Sequence, residues 1–308
     1  MKHAYLIKTH EYTHVLETLV KMIDDERNDI YIHIDRKVKQ SYADRISAQV
    51  MKSQLYFVRR IKEYWGNVSQ VKAEYLLFQS AEEKGPYAYY HLISGSDLPI
   101  KTQDDIHVFF DSHLGYEFIS FAENGMKERA LFRWPFSRHL RGLCSNSRWI
   151  YRKVNRLQGK ITRCCIEAQK KIGMKNNAFL EYKKGTNWVS LTQQAVELLL
   201  ECKEKVLRGF RYANCPDEHY KQTLLYDLLK RGSALRFYKY HDEYGAGNGS
   251  MDETDECILD AMRYIDWRRS LNLTMKDWDR IKASDAMFCR KVVDDTLADK
   301  IYEQFGPK

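Results

Sequence analysis

One acidic segment offers chemistry around which the rest of the chain can be organised. Residues 215–220 read CPDEHY, and Leu224, Leu225 and Leu228 continue an amphipathic helical pattern after them. Proline favours the first helical turn and acids there complement the helix dipole, so the segment predicts a helix start. The same position would also present the Glu218 carboxylate at the rim of a cleft as a general base. The local sequence leaves both interpretations open.

The elements that would position Glu218 alternate in type along the first third of the chain. Buried apolar runs predict strands at 3–7, 29–35, 54–58 and 87–93, and 3.6-residue periodicity predicts helices at 15–23 and 69–82. This βαβ rhythm predicts an α/β fold with a mostly parallel central sheet flanked by helices. Ligands of such sheets bind at the carboxyl ends of the strands, and Asp35, Trp65 and Asp97 lie on or just past such ends.

Composition narrows the protein class. The chain has 308 residues, 44% hydrophobic and 30% charged, which suffices for a substantial core. We expect no transmembrane helix, because no run of about 18 apolar residues occurs, and no secretory signal, because the apolar run at 3–7 is too short. Seven irregularly spaced cysteines favour reduced thiols in a cytoplasm. Neither a G-x-x-x-x-G-K-[ST] nor a G-x-G-x-x-G phosphate loop is present.

Several segments, in order, carry a resemblance to a known family. They are IHIDRK at 32–37, WGNVSQVKAE at 65–74, LISGSDLPIKT at 92–102, GTNWVSLT at 185–192, CPDE at 215–218, RYIDW at 263–267 and FCRK at 288–291. Together they resemble the core-2/I-branching glycosyltransferases, family 14, which also includes the peptide O-xylosyltransferases. The resemblance spans nearly the whole chain, and the least matched stretch is 124–180.

The resemblance implies a GT-A fold and inversion at the anomeric carbon. It implies one domain over 1–308, with a nucleotide-binding half at 1–122, a basic, partly helical insert at 123–184, and an acceptor and catalytic half at 185–308. The donor is expected to be a UDP-sugar, with UDP-GlcNAc and UDP-xylose as the leading candidates. The acceptor is expected to be a glycan or a lipid-linked glycan. The family works without a divalent metal, so we expect no metal or other cofactor.

The resemblance also assigns roles to single residues. Glu218 matches the general base, and Arg263 and Lys291 match the cations that stabilise the UDP leaving group, with Arg290 as a reserve candidate. Preorganised cations can replace a metal because the diphosphate gains negative charge as the bond to the sugar breaks. The remaining nucleotide-sugar contacts are expected from Ile7, Lys8, Asp35, Trp65 and Asp97.

Three residues are predicted to bind the acceptor. Glu123 follows a further strand predicted at 117–121. The family places a Glu and a Lys or Arg in the region of Glu123 and Arg133, which bind acceptor hydroxyls. Trp188 is expected in a strand facing the cleft, where it would stack on a sugar ring or belong to the core. A core role is equally open for Trp65.

Two rival functions remain open at this stage. Asp277-Trp278-Asp279 spells the Asp-x-Asp motif with which most GT-A enzymes hold a metal, although its surroundings predict a helix start. A metal-dependent transferase that uses Asp277 and Asp279 is one alternative. A non-catalytic glycan-binding protein is the other, although it would not need Glu218 and the two cations.

Positive charge is concentrated in the least matched stretch. Residues 127–184 contain sixteen Lys or Arg residues and three acids, a balance of +13 against +8 for the whole chain. Apolar residues recur there at near-helical spacing, among them Val154, Leu157, Ile161 and Ile166. The pattern predicts either a helix packed on the sheet or a basic amphipathic helix at the inner face of an anionic membrane. No recognised nucleic-acid motif accompanies the charge, so we expect no nucleic-acid partner.

Overall fold

The central element is a five-stranded sheet. The computed structural model describes residues 1–38, 41–122, 128–136, 148–239, 257–258, 261–266 and 271–308. The strands of this sheet are β1 (His3–Thr9), β2 (Asn28–Ile34), β3 (Gln54–Phe57), β4 (Tyr89–Ser94) and, much later in the chain, β7 (Ser190–Leu191). Their order is β3-β2-β1-β4-β7, and only β7 runs antiparallel to its neighbour. The fold is therefore α/β with a mostly parallel central sheet.

Two smaller sheets join distant parts of the chain. One contains β5 (Leu98–Pro99), β9 (Cys257–Ile258), β10 (Arg263–Ile265) and β11 (Phe288–Arg290) in the order β5-β11-β10-β9. The other pairs β6 (Tyr116–Glu117) with β8 (Arg236–Phe237). Because β5 follows β4 directly, its pairing with β11 brings the end of the chain to the carboxyl edge of the central sheet.

Helices occupy most of the remaining described chain. They are α1 (His14–Ile23), α2 (Ser41–Ser47), α3 (Val68–Glu82), α4 (Gln103–Ser112), α5 (Glu128–Leu131), α6 (Arg148–Lys171), α7 (Gln193–Glu201), α8 (Lys203–Gly209), α9 (Tyr220–Lys230), α10 (Trp278–Ala283) and α11 (Asp295–Phe305). Side chains that accept from free backbone N–H groups fix several starts: Thr13 caps α1 and Asn67 caps α3. No helix in the described part of the chain is long and apolar enough to cross a membrane.

The strand β1 separates the two halves of the core. Its residues alternate between two apolar clusters, with Tyr5 and Ile7 in one and Ala4 and Leu6 in the other. Successive side chains of a strand point to opposite faces, so β1 is buried on both sides, as expected for a central parallel strand.

The strands and helices predicted for the first third are confirmed, each within two residues of its observed ends. Two predictions of strand structure need correction. Trp188 lies just before β7 rather than inside a strand, and the strand expected at 117–121 is limited to β6 and one bridge between Phe118 and Ser190.

Candidate active site

A cleft of about 530 Å³ opens at the carboxyl edge of the central sheet. The ends of three parallel strands contribute to it: Thr9 is the last residue of β1, Asp35 follows β2, and 94–96 begin at the last residue of β4. Its remaining wall comes from residues before α3, before β7, before α9 and after β11. This volume lies in the range of small-molecule sites, and the position is the one where open α/β sheets bind ligands.

Two close backbone contacts hold the segment at 215–218 in the cleft. The Cys215 N–H donates to Gly66 O at 3.0 Å, and Gly66 has a φ of +74°, which glycine tolerates best. The Gly185 N–H donates to Glu218 O at 3.0 Å. A side-chain Cβ at Gly185 would lie 1.8 Å from Ser120 O, so only glycine allows this approach. The segments at 65–74, 185–192 and 215–218 thus meet around Glu218.

Glu218 lines the cleft on a one-turn 3-10 helix, Pro216–Glu218, that precedes α9. Its side chain is 32% exposed, and its Oε2 lies 3.6 Å from Lys184 Nζ and 3.8 Å from Arg129 Nη1. Both cations attract the carboxylate from the protein side while the other face of the group remains open to the cleft. A partly exposed, oriented carboxylate is the geometry that a general base requires.

Asp217 also lines the cleft, but its side chain is less exposed than that of the neighbouring Glu218. It is 8% exposed, and within the described structure its Oδ1 accepts no hydrogen bond. Burial raises the pKa of Asp217 to about 7; Lys8 opposes this rise, while Glu74 and Glu218 add to it. The sequence predicted no more than a helix-start role for Asp217, because burial of this carboxyl depends on the tertiary structure.

Arg290 and Lys291 form the cationic wall of the cleft at the end of β11. The Arg290 Nη1 donates to Ser94 Oγ and to Asp97 Oδ1, both at 2.6 Å. Its guanidinium carbon lies 4.0 Å from the centre of the Trp188 ring, and Trp188 itself lines the cleft. Asp97 and Trp188 thereby fix the orientation of a cation that points into the cleft.

The cleft floor contains a buried charge network. Lys8 Nζ lies 3.1 Å from Glu63 Oε2 and 3.0 Å from Glu74 Oε1, and Glu74 Oε2 accepts from Lys221 Nζ at 2.7 Å. Burial opposes the charges, but Lys221 and Lys8 lower the pKa of Glu74 to about 2. Asn187 donates to Glu74 Oε1 at 2.9 Å and accepts from Lys221 at 2.5 Å, which ties the segment at 185–192 to α3 and α9.

The fold brings most of the site residues predicted from the sequence to the lining of the cleft, but not all of them. Lys8, Asp35, Trp65, Trp188, Glu218 and Lys291 line it. Ile7 does not, because its side chain packs in the apolar core. Asp97 does not line it either: it is fully buried and acts on Arg290 instead. Arg133 is exposed away from the cleft, with its guanidinium 5.3 Å from the Tyr212 ring centre. Glu123 lies outside the described residues.

Arg263 needs the largest correction. It is fully buried in β10 and does not line the cleft; its guanidinium donates to Ala261 O at 2.7 Å, Val189 O at 3.1 Å and Ser190 Oγ at 3.0 Å. Burial lowers the pKa of Arg263 to about 10. The contacts with Val189 and Ser190 attach β10 to the start of β7. Arg263 therefore supports the packing of these strands, whereas Arg290 lines the cleft.

The Asp-x-Asp segment is remote from the cleft lining. Asp277 accepts from the Thr274 N–H at 2.7 Å and pairs with Arg280, and α10 begins at Trp278, as the sequence predicted for a helix start. Neither Asp277 nor Asp279 lines the cleft. Within the described residues, no group of three or more His, Cys, Asp or Glu side chains is arranged to hold a metal ion.

The sequence analysis did not identify four polar groups around Glu218 and Lys8. Arg129 lies in the least matched stretch and offers no local signal. Lys184 directly precedes the segment at 185–192, so adjacency to that segment was its one available signal. Glu63 and Glu74 contact Lys8, and these contacts follow only from the way α3 and the loop before it pack on β1.

Comparison with solved structures returned chains of low sequence identity. Among solved structures, mouse xyloside xylosyltransferase 1 is 10% identical with a TM-score of 0.38, over 94% of this chain and 97% of that one. The glycosyltransferase GlyE of Streptococcus pneumoniae is 13% identical with a TM-score of 0.37, over 79% and 46%. TarS 1-349 of S. aureus in complex with UDP is 13% identical with a TM-score of 0.28, over 37% and 33%. This chain thus matches about a third of the length of that TarS structure.

A comparison with curated proteins returned no match. The family model described as Core-2/I-Branching enzyme matches residues 3–293, which is nearly the whole chain. The chain therefore belongs to the Core-2/I-branching enzyme family of glycosyltransferases.

Proposed function

We propose that the protein is an inverting, metal-independent glycosyltransferase that moves GlcNAc or xylose from a UDP-sugar to a glycan hydroxyl. One observation carries the proposal: Glu218 and the cations Arg290 and Lys291 line a single cleft at the carboxyl edge of the sheet. The acceptor is a glycan or a lipid-linked glycan, and the site of action is the cytoplasm.

The reaction is a single displacement. The acceptor oxygen attacks the anomeric carbon while the bond from that carbon to the UDP oxygen breaks, and Glu218 takes the proton of the acceptor hydroxyl. Arg290 and Lys291 stabilise the charge that develops on the departing diphosphate, which is the role that the family resemblance implied for Arg263 and Lys291. A positioned base of this kind contributes roughly 10²–10⁴-fold to the rate.

The donor occupies the side of the cleft formed by β1 and β2. Asp35, whose Oδ2 lies 3.0 Å from Lys37 Nζ, is positioned to accept hydrogen bonds from a nucleoside, and the half-exposed Trp65 offers a ring for stacking. Trp188, beside Arg290, offers a second aromatic surface for a sugar. Nothing in the lining selects between GlcNAc and xylose.

A screen of UDP-sugars tests the proposal, first for binding and hydrolysis and then with glycan acceptors. Glu218→Gln should lower transfer by roughly 10²–10⁴-fold while UDP binding stays nearly unchanged. Glu11→Gln is the matched control, because Glu11 also lines the cleft but has a half-exposed side chain that pairs with His10. Transfer by Glu218→Gln within a few-fold of wild type would exclude the assigned base. Binding of glycans without turnover of any UDP-sugar would favour the non-catalytic alternative.

A further inference from the structure

The helix α6 carries apolar side chains that the protein leaves in solvent. Leu157 is 59% exposed and Ile161 38% exposed, and Ile172, one residue past the helix, is 70% exposed. With Cys164 and Ala168, which are also exposed, they follow spacings of four, three, four and four residues. This spacing places them on one continuous stripe about 22 Å long.

A basic stripe runs beside the apolar one. Exposed cations at 153, 156, 160 and 163 precede the apolar positions by one residue, and Lys171 extends the row beyond Glu167. Within the described chain, Arg156, Lys160 and Arg163 form no ion pair with an acid. The two stripes together make a surface with one apolar edge and one cationic edge.

The opposite face of α6 attaches the helix to the protein. Thr162 and Ile166 are buried, and the Gln169 side chain accepts from the Arg133 N–H at 2.9 Å and donates to Arg133 O at 3.0 Å. Because the helix is anchored by this face, the apolar and basic stripes must point away from the protein. Of the apolar residues that the sequence singled out in this helix, Ile166 packs on the protein, whereas Leu157 and Ile161 remain exposed.

The anchored end of α6 lies close to the catalytic segment. Lys170 Nζ contacts Glu128 Oε1 at 2.7 Å, and Glu128 begins the short helix α5. The next residue, Arg129, places its Nη1 3.8 Å from Glu218 Oε2. A surface bound by α6 is thereby linked through α5 to the base that would act on the acceptor.

We propose that the two stripes of α6 dock the protein on an anionic phospholipid membrane. The helix would lie in the interface plane, with the apolar stripe among the acyl chains and the cations at the headgroups. Charge complementarity carries this choice of partner. Residues 153–171 of α6 contain six Lys or Arg residues and one acid, so an anionic surface would attract this helix.

Other partners fit the surface less well. A nucleic acid would use the cations but would leave Leu157 and Ile161 in water. A second copy of α6 would cover the apolar stripe but would bring two basic rows together. The inference does not depend on the identity of the donor sugar; if the acceptor is lipid-linked, docking would also bring it beside Glu218.

Co-sedimentation with vesicles of stated composition tests the proposal on the full chain. Vesicles of phosphatidylcholine with phosphatidylglycerol should pellet the protein at low ionic strength and release most of it at high salt, whereas pure phosphatidylcholine should pellet little. Neutralising Arg156, Lys160 and Arg163 to Gln should weaken binding by about 100-fold. Leu157→Ser with Ile161→Ser should weaken it by about tenfold.

The matched control is Lys52→Gln with Lys72→Gln and Lys282→Gln, which removes the same charge from exposed positions outside α6. It should bind vesicles nearly as wild type does, and thermal unfolding should show all variants folded. Four outcomes would overturn the proposal: no pelleting with anionic vesicles, equal losses for the two triple variants, tighter binding to duplex DNA than to vesicles, or dimerisation that Leu157→Ser with Ile161→Ser abolishes.

Discussion

At the residue scale, the adjacent carboxyl groups of Asp217 and Glu218 lie in different environments within the cleft. Glu218 is 32% exposed and lies near two cations, whereas Asp217 is buried and its Oδ1 lacks a hydrogen-bond partner within the described residues. Different environments push the pKa values of neighbouring acids apart and allow them different roles. Glu218 is available to an incoming hydroxyl, while Asp217, with a pKa of about 7, is largely protonated below neutral pH and can donate a hydrogen bond into the cleft.

The raised pKa of Asp217 predicts a stability that depends on pH. The unfolded carboxyl titrates near 3.8 and the folded one at about 7, so the native state binds more protons between these values. Its stabilising contribution is therefore complete below pH 3.8 and is lost as pH rises through 7. Each unit between the two pKa values corresponds to about 1.4 kcal/mol.

Denaturant unfolding at pH 5 and pH 8 measures this effect. Asp217→Asn should lose less free energy of unfolding between the two pH values than wild type, and the difference between pH values cancels any constant cost of the amide. Glu117, whose pKa burial raises to about 7, adds a similar dependence that Asp217→Asn leaves in place. An identical pH dependence in wild type and Asp217→Asn would contradict the prediction.

We expect separable effects when Arg263 on β10 and the two basic residues at the end of β11, Arg290 and Lys291, are substituted. Arg290→Gln and Lys291→Gln should each weaken UDP binding by roughly tenfold to hundredfold, because charge-assisted hydrogen bonds contribute about 1.5–3 kcal/mol. Arg263→Gln should instead lower the unfolding temperature, since two of its three buried bonds, to Val189 O and Ser190 Oγ, attach β10 to the start of β7. At a temperature where it remains folded, UDP binding should be retained.

Calorimetry with UDP and thermal melts of the same samples separate these effects, and Lys282→Gln, at an exposed position outside the cleft lining, controls for net charge. Loss of UDP binding in folded Arg263→Gln, together with normal binding by Arg290→Gln, would return the diphosphate role to Arg263.

At the scale of elements, the cleft depends on loops that approach one another more closely than side chains allow. Gly185 sits where a Cβ would lie 1.8 Å from Ser120 O, and its N–H bonds to Glu218 O. Gly185→Ala must therefore move either the Ser120 backbone or the segment that carries Glu218. Overpacking of this kind costs typically about 1–3 kcal/mol.

We expect Gly185→Ala to lower both the free energy of unfolding and the rate of sugar transfer. Gly159→Ala is the matched control: it lies within α6 with nothing inside 4 Å of its Cβ position, so the alanine should stabilise the helix by about 1 kcal/mol. Denaturant melts and transfer rates of both variants test the pair. Unchanged stability and activity in Gly185→Ala would show that the loops can separate without loss.

The accuracy of the sequence analysis differs between elements for a physical reason. The strands at 3–9 and 28–34 contain the apolar runs at 4–7 and 30–32, and burial on both faces makes such runs visible in a single sequence. Arg263 and Arg290 both occupy short strands with apolar neighbours, and no local pattern shows which guanidinium the fold buries. Their distinction arises from strand register, because β10 and β11 run parallel and Arg263 begins β10 opposite Phe288, whereas Arg290 ends β11 at the cleft.

At the scale of the whole molecule, the cleft acids are largely committed to cations of the protein. Asp35 pairs with Lys37, Glu63 with Lys8 and His33, and Glu218 lies near Lys184 and Arg129. Asp217, with its pKa of about 7, carries little charge below neutral pH. A divalent ion would have to displace these partners to gain anionic ligands, whereas a diphosphate would meet Arg290 and Lys291 directly.

This distribution of charge predicts transfer that needs no metal. Activity should persist in excess EDTA, and the affinity for UDP should be the same with and without Mn²⁺ or Mg²⁺, because the cations that face the leaving group belong to the chain. Asp277→Asn with Asp279→Asn is the companion variant and should transfer sugar at the wild-type rate, since neither residue lines the cleft. Loss of transfer in EDTA that Mn²⁺ restores in wild type but not in this variant would establish the metal-dependent alternative. Restoration in both proteins would instead require a metal site elsewhere in the chain.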